Sequence, residues 1–531
     1  MASVSCKVEL ALNDVGFFDT TFFDPSFFDL GSLWHDVLLE TDVRTASNVV
    51  VEYGIKGNSP DDRVASTGSA TFGLDNSQAN SSGLIGYYSL LNTNKRSGFD
   101  LNIPVRVSFS SPDVASSTTY YKFYGSLDTA IPVPGRSLER VTHCVAVDLW
   151  DDYARIDEPD IALQTSKRAD ETLTTLLNAL NVQPTTRSLE TGSESYVYSI
   201  DGATGQKVKV RERIAQLTAS EFGYCYTKGG TTSGGVFQFE NRHHRVTDPT
   251  IQVTLNNTMD GLVVPGSRRD VFRTVQVFVH PTNDVGTAST IVLWSIQNST
   301  TLIRASETNT FLFGAFFDPT THNEIGGTST IDPVATTDYT FNSASDGTGT
   351  DLTANFTVTA SRTGLGVRWT IVNNSATTPA YITKLQVRGK PIYRFDAMLE
   401  VSIAGSYGDQ VMKIDMPFQN STNVGQDVAT AMADRFSMPF AQVEWVRFNA
   451  NKSTALMTAA LQREIGDRIA LTETVSGLSA HEFIINGCRL EYTPERQLWC
   501  TWYLEAASNA HYFLLGTTGF AELGTTTVLG F

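Results

Sequence analysis

Apolar residues alternate with polar residues in short runs through most of this chain. The runs are densest between His35 and Arg140 and again between residues 439 and 505, where Gly, Asn and Ser interrupt them. Successive side chains of a strand point to opposite faces, so a period of two indicates half-buried strands. Many short strands separated by frequent turns are typical of β-sandwiches and β-barrels. The sequence therefore predicts a mainly β protein, with one β-barrel over residues 35–150 and a second over residues 439–505.

Residues 151–245 carry a mixed pattern that predicts a small α/β module. Helical spacing indicates two helices, whose buried faces would be formed by Leu173, Leu176, Leu177 and Leu180 in the first and by Ile214, Leu217 and Phe222 in the second. Ser166 or Asp170 would cap the first helix, and Gly223 would end the second in a left-handed conformation. We expect YVYSI to pair with KVKVRERI, and YCYTK with VFQFENR, as two β-hairpins.

A change of composition marks residues 287–385, which are rich in Thr, Ser and Asn and nearly free of Lys. About a hundred residues written in short alternating strands predict an inserted immunoglobulin-like β-sandwich. Residues 246–286 and 386–438 would then be connecting segments of the parent fold, because the sandwich lies between them. Apolar spacing in the second segment predicts a helix over residues 423–436, with Asn423 as its N-cap.

Two segments are too apolar to be left in water and too irregular to be strands. Residues 1–34 form a predicted N-terminal arm, in which Phe-Phe-Asp occurs three times and Pro25 prevents a regular element. Residues 506–531 form a predicted C-terminal arm. We expect such segments to dock on their own domain or to contact other subunits, because exposed aromatic patches usually mark interfaces. The candidate interface residues are Phe17, Phe18, Phe22, Phe23, Phe27, Phe28, Phe520, Leu529 and Phe531.

The chain has 531 residues and a net charge of −17. This acidity argues against a nucleic-acid-binding surface, which needs clustered Lys and Arg to contact phosphates. The five cysteines are far apart in the sequence, so we expect isolated reduced thiols in strands. The sequence has no run of about 18 apolar residues, and its N-terminus lacks the pattern of a secretory signal. We therefore expect folding in a cytoplasm and no stable membrane insertion.

No catalytic or metal-binding motif is evident, so we predict no catalytic residue, no metal and no cofactor. His243 and His244 are adjacent on a predicted strand, which would point their rings to opposite faces and prevent shared metal ligation. The sequence lacks a G-x-S-x-G elbow, an H-E-x-x-H motif and a P-loop. We therefore expect that the protein is not an enzyme. A carbohydrate-binding or glycan-cleaving β-protein is an alternative, because two catalytic carboxylates brought together by the fold leave no local motif.

Three sets of residues carry a family resemblance. The first predicted barrel contains GSATFGLDN at residues 68–76, followed by Tyr-Tyr-Ser at residues 87–89. The module ends in Glu240-Asn241-Arg242. The second predicted barrel contains GDRI at residues 466–469, FIING at residues 483–487 and WCTWYLE at residues 499–505. In kind, order and spacing these residues resemble the hub proteins of tailed-bacteriophage baseplates and tail tips, also called minor tail proteins.

The resemblance implies a structural subunit of the virion. Such a hub has two related β-barrels per subunit, so that a homotrimer presents six barrels to the sixfold tail tube and lets DNA pass without specific binding. The implied partners are the tail tube and distal tail proteins, the C-terminus of the tape-measure protein, and a central spike or fibre. Within the same class, a distal tail protein or a receptor-binding tail protein is the alternative. The implied location is the tail baseplate of the virion, after assembly in the host cytoplasm.

Overall fold

The computed structural model describes residues 2–12, 34–37, 42–43, 48–57, 62–114, 118–136, 140–184, 186–200, 207–229, 235–247, 250–264, 272–296, 301–310, 312–364, 366–403, 410–436 and 443–507. The fold is mainly β, as the alternating pattern predicted. We number strands and helices in chain order.

The largest sheet has thirteen strands within the described residues. Its strands are β1 (Ser5–Ala11), β2 (Trp34–Val37), β3 (Val49–Gly54), β4 (Ser66–Asp75), β5 (Pro104–Ser110), β6 (Tyr120–Val133), β7 (Val141–Val147), β13 (Ile251–Asn256), β14 (Gly261–Val263), β29 (Trp445–Asn449), β30 (Arg468–Glu473), β31 (Leu478–Tyr492) and β32 (Leu498–Ala506). Eleven of them pair in the order β14-β29-β32-β31-β3-β4-β7-β6-β5-β1-β2. Strand β30 pairs with β31 on one side and with β13 on the other. Helix α6 (Thr454–Gln462) precedes β30.

Strand β3 joins the two ends of the chain. It pairs antiparallel with β31, with Val51 opposite Leu490, and on its other side with β4, where Val51 is opposite Ala70. The strands of the two predicted barrels therefore belong to one continuous sheet. Their division into two separate barrels stays a prediction.

The first part of the predicted N-terminal arm is a strand of this sheet, which corrects the prediction that residues 1–34 form an arm. Strand β1 pairs with β5 and β2, and Val8 and Leu10 are fully buried. The reason is visible in the sequence, where Cys6, Val8 and Leu10 recur with period two. The prediction of an arm concerns residues 13–33, which lie outside the described residues.

Four short helices and five strands form the module. They are α1 (Leu149–Arg155), β8 (Gln164–Arg168), α2 (Ala169–Asn178), β9 (Thr186–Leu189), β10 (Ser195–Ser199), α3 (Val210–Glu221), β11 (Tyr224–Lys228), β12 (Val236–Glu240) and α4 (His244–Thr247). The predicted hairpin of β11 and β12 is confirmed, and β9 adds to β12 in parallel. The other predicted hairpin is wrong, because β10 pairs with β8 and much of KVKVRERI belongs to α3.

The end of α3 differs from the prediction in one residue. Phe222, not Gly223, takes the left-handed conformation, with φ 58°. Gly223 is required for another reason, since a Cβ there would lie 2.2 Å from the carbonyl oxygen of Glu240. The glycine therefore lets the end of α3 approach the end of β12.

The connecting segments form a packed unit of their own. Strands β15 (Phe272–Val279), β27 (Ala397–Ser402) and β28 (Gln410–Met416) make a sheet in the order β27-β15-β28. Helix α5 (Thr422–Arg435) covers one face of it and buries Val428 and Met432, which confirms the predicted helix. Its N-cap is Ser421 rather than Asn423, and the Ser421 hydroxyl accepts a hydrogen bond from the Val424 N–H at 3.4 Å.

Residues 287–385 form two four-stranded sheets with a separate apolar core around Trp369, Phe341 and Phe356. The strands of this insert and its border are β16 (Thr282–Asp284), β17 (Val292–Ser295), β18 (Leu302–Ile303), β19 (Thr308–Asn309), β20 (Phe313–Ala315), β21 (Gly326–Thr328), β22 (Tyr339–Asn342), β23 (Phe356–Thr363), β24 (Gly366–Asn373), β25 (Ala380–Arg388) and β26 (Lys390–Arg394). Strands β16, β26 and β21 make a small sheet where the insert leaves the parent fold. The insert contacts the module through the Gly364 N–H, which donates to the Ile161 carbonyl oxygen at 2.8 Å.

The five cysteines confirm their prediction. They lie in β1, β7, β11, β31 and β32 as buried free thiols: Cys6, Cys144, Cys225, Cys488 and Cys500. Burial raises the pKa of the Cys225 thiol well above its ordinary value. These thiols are therefore protonated and act as small apolar side chains.

Candidate functional site

The carboxylate of Glu505, near the end of β32, is the centre of a buried network of charged side chains. It accepts hydrogen bonds from the Tyr224 hydroxyl at 2.6 Å, from Nη1 of Arg245 at 3.1 Å and from Nδ2 of Asn486 at 3.0 Å. Nη1 of Arg435 on α5 donates to Oε1 of Glu505, the oxygen that also accepts from Tyr224. We call this network the charged junction, and define it as Arg63, Tyr224, Glu240, Arg242, Arg245, Arg435, Asn486 and Glu505.

Asn486 reaches the junction because of a bulge in β31. Ile485 is opposite Leu504 and Gly487 is opposite Tyr503, so Asn486 is an extra residue without a partner in β32. A bulge changes the direction of the side chain that it carries. Here it places the Asn486 amide between Arg245, whose Nη1 is 2.5 Å from Oδ1, and Glu505.

Arg245 is brought to the junction by the turn after β12. The Asn241 side chain accepts hydrogen bonds from the N–H groups of His243 at 2.9 Å and His244 at 3.0 Å, which caps the short helix α4. This corrects the prediction that the two histidines lie on a strand. Nε of Arg245 then donates back to Glu240 at 2.8 Å, and the Tyr226 hydroxyl donates to the same carboxylate.

Arg63 enters from the loop before β4 and is held mainly by rings. Its guanidinium lies 3.3 Å from the centroid of the Phe222 ring and 4.7 Å from that of Tyr224, while Nη1 donates to the Phe222 carbonyl oxygen at 3.0 Å. Arg245 covers the Tyr224 ring at 3.4 Å. Cation–π contacts of this kind stabilise charges that have lost their hydration.

The electrostatics of the junction favour a charged glutamate. Burial alone would raise the pKa of Glu505, but Arg435, Arg245 and Arg63 outweigh it and hold that pKa well below its usual range. Burial lowers the pKa of Arg63, which has less carboxylate contact than the others. Glu505 is therefore ionised at ordinary pH.

Gly466 packs the second predicted barrel against this network. Its φ is 96°, and a Cβ would lie 2.9 Å from Oε1 of Glu240 and 3.1 Å from the Tyr226 hydroxyl. The neighbouring Arg468 donates from Nη2 to the Arg245 carbonyl oxygen at 2.9 Å. The turn that begins the GDRI motif therefore has a second role, which is contact with the end of the module.

The first motif has a local role in a hydrogen-bonded loop. Strand β4 ends at Asp75, whose carboxylate accepts from the Ser77 N–H at 2.7 Å. The Asn76 side chain accepts from the Tyr88 N–H at 2.9 Å and donates to the Ser89 hydroxyl at 2.6 Å. The Leu-Asp-Asn and Tyr-Ser residues are therefore the two sides of one hydrogen-bonded loop.

The junction joins segments that are far apart in the sequence, and its chemistry is that of a structural clamp. No group of three or more His, Cys, Asp or Glu side chains in the described ranges is arranged to hold a metal ion. Among the described residues, no helix is long and apolar enough to span a bilayer.

Sequence analysis did not identify the junction as a site. Its proposed interface residues, Phe17, Phe18, Phe22, Phe23, Phe27, Phe28, Phe520, Leu529 and Phe531, lie outside the described residues. The usable signal was present in the motifs, because Glu240, Asn486 and Glu505 are charged or polar residues that follow apolar residues in the strands β12, β31 and β32. Buried charges of this kind need partners.

Comparison with known proteins gives matches in structure only. No protein-family model matches the chain, and no curated protein sequence matches it. Solved phage tail proteins match over most of the chain. The 43 kDa tail protein of prophage MuSo2 from Shewanella oneidensis is 8% identical with a TM-score of 0.44, covering 94% of this chain and 98% of its own.

Two other tail proteins give similar values. The tail protein from Neisseria meningitidis MC58 is 8% identical with a TM-score of 0.44, over 95% of this chain and 96% of its own. Prophage tail protein gp18 from Listeria monocytogenes EGD-e is 8% identical with a TM-score of 0.40, over 94% of each chain. At this identity, these proteins assign no role to any residue of this chain.

Proposed function

We propose that this protein is a structural subunit of a bacteriophage tail, and that it assembles as a homotrimeric hub between the sixfold tail tube and the threefold tail tip. One observation carries the proposal. Residues of two of the three motif sets that resemble tail hub proteins lie more than 200 positions apart and meet in the charged junction, where Arg245 connects Glu240 to Asn486 and Glu505. The resemblance therefore concerns residues that hold the fold together.

The architecture supports a mechanical role. One sheet runs from β14 to β2 through strands of both ends of the chain, and the junction fixes the module and α5 to it. Buried, hydrogen-bonded charges specify one arrangement of the parts, since any other leaves charges unpaired. A subunit that transmits force between two rings needs such a fixed arrangement.

The acidity of the chain supports passage of DNA. A net charge of −17, from 56 Asp and Glu against 39 Lys and Arg, disfavours the binding of DNA phosphates by counterion release. We propose that the interior of the ring is neutral or negative and that no DNA is bound there specifically. The proposed partners are the tail tube and distal tail proteins, the C-terminus of the tape-measure protein, and a central spike or fibre. The proposed location is the tail of the virion, and no enzymatic activity is proposed.

Native mass spectrometry tests the assembly. We expect three copies of the 58.0 kDa chain in one complex. Removing residues 13–33 or residues 512–531 should weaken the ring or its binding to tail tubes in cosedimentation, because these apolar segments would be buried between subunits. A stable monomer that does not sediment with tail tubes would contradict the proposal. Specific glycan binding by such a monomer would favour the carbohydrate-binding alternative.

A further inference from the structure

A cavity of about 80 Å³ lies against the charged junction, where β31, β32, the module and α5 meet. This exceeds the roughly 30 Å³ that one water molecule occupies in the liquid. Among the described residues that line the cavity, four are arginines, namely Arg63, Arg242, Arg245 and Arg435, and one is a carboxylate, Glu505. The cavity therefore has room for a small ligand and an excess of positive charge in its wall.

Five N–H groups of these arginines are buried without a hydrogen-bond partner. They are Nε of Arg63, Nε and Nη1 of Arg242, Nη2 of Arg245 and Nε of Arg435. Arg63 is 4% exposed, Arg245 is 8% exposed and Arg242 is 9% exposed. Buried donors normally have acceptors, and an unpaired donor on a charged group is especially unfavourable. Five such donors around one cavity indicate a missing acceptor.

The carboxylates that face these arginines account for other donors. Glu505 accepts from Arg245 and Arg435, and Glu240 accepts from Nε of Arg245. Glu194 accepts from Nη2 of Arg242 at 3.3 Å, which leaves the other two nitrogens of that side chain. Arg63 donates to the carbonyl oxygens of Phe222 and Gly223.

We propose that this cavity binds a phosphate-type oxyanion. A tetrahedral oxyanion offers acceptor oxygens in several directions at once, which suits guanidinium groups that approach from the module, from α5 and from the loop before β4. It also adds negative charge where four arginines face three carboxylates, Glu505, Glu240 and Glu194. The bound anion would connect β32, the module and α5, and would therefore stabilise the junction.

Inorganic phosphate is the probe. Its binding to the full chain is measured by isothermal titration calorimetry, and thermal unfolding is followed below about 10 mM phosphate, where the general stabilisation by excluded salts is small. We expect saturable binding and a matching rise in Tm that sodium chloride of equal ionic strength does not give.

Two variants locate the site. Arg242→Gln removes two of the five donors, and we expect phosphate affinity to fall about tenfold or more. Arg489→Gln makes the same charge change on β31 at a side chain that is 40% exposed and pairs with Glu52, and it should bind phosphate as the parent does. Absence of saturable binding to the parent chain would overturn the proposal. Equal loss of affinity in both variants would also overturn it, because the ligand would then lie outside the cavity. If Arg242→Gln does not fold, Arg242→Lys, which keeps the charge and removes the guanidinium donors, takes its place, and unchanged phosphate affinity in that variant would overturn the proposal.

Discussion

Replacing Glu505 by Gln should loosen the contact between the largest sheet and α5. The substitution keeps the shape of the side chain and removes its charge, so Arg435 and Arg245 lose the carboxylate that they share. The amide group that replaces one oxygen would also face a donor, because both oxygens of Glu505 accept hydrogen bonds. The variant therefore removes from Arg435 the carboxylate that it contacts, while Arg245 keeps only Glu240.

The expected cost is large for a single substitution. Removing one partner of a buried ion pair typically costs about 3–5 kcal/mol. Amide exchange of β32 and α5, measured by mass spectrometry on the full chain, reports the free energy of local opening. A loss of this size corresponds to exchange that is about 10²–10⁴ times faster.

Glu491→Gln is the matched control. Glu491 also pairs with an arginine in the same sheet, but its side chain is 20% exposed and that of Arg447 is 40% exposed. Partly exposed pairs contribute about 1 kcal/mol or less, so exchange should change by less than about tenfold. The reasoning is refuted if Glu505→Gln exchanges no faster than the control, because the charges of the junction would then not hold α5 in place.

Three further predictions concern other parts of the chain. Gly466→Ala should lower the free energy of unfolding by about 1–3 kcal/mol, because φ is positive at this position and the added Cβ would press on Glu240. Gly477→Ala is the control, since φ there is also positive, at 75°, but the space around it is open, and it should lower the free energy of unfolding by about 1 kcal/mol. Equal losses of the two variants in thermal unfolding would contradict this prediction. Burial raises the pKa of Asp148 to about 6, above the roughly 3.9 of an unfolded aspartate, so folding should gain up to about 3 kcal/mol as pH falls from about 6 to 4. Asp148→Asn should remove this gain in stability at low pH. A pH profile of Tm that is unchanged in the variant would count against the role of Asp148. Replacing residues 287–388 by a short Gly-Ser linker should leave the oligomeric state unchanged in native mass spectrometry, since the insert has its own core, and loss of soluble assembly would show that it is integral.

Local patterns predicted those parts of the fold that depend on neighbours in the sequence. The alternation in YCYTK and VFQFENR gave the hairpin of β11 and β12, and the spacing of Val428 and Met432 gave α5. The stretch KVKVRERI was misinterpreted because its first residues alternate, although Ile214 and Leu217 continue a helical spacing that tertiary packing favours.

The charged junction could not be predicted, because the partners of Glu505 from α5 and the module are 70 to 281 positions away from it. Arg245 and Glu505 are unremarkable charged residues in the sequence, and only the register of β31 against β32 with its bulge at Asn486 brings them together. The motifs located three of the strands involved. The motifs did not indicate which charged side chains of the junction would pair with each other.

The pairing of β3 with β31 has a consequence for how the chain folds during synthesis. Val51 cannot pair with Leu490 until that residue leaves the ribosome, about 20–90 s later at ordinary elongation rates. During that interval one edge of β3 exposes unpaired N–H and C=O groups, a template on which another nascent chain can add a strand. Contacts at such sequence separation also make folding slow. Productive synthesis therefore depends on shielding this edge until the last strands arrive, and a chain truncated before β31 should aggregate even though its N-terminal strands can pair.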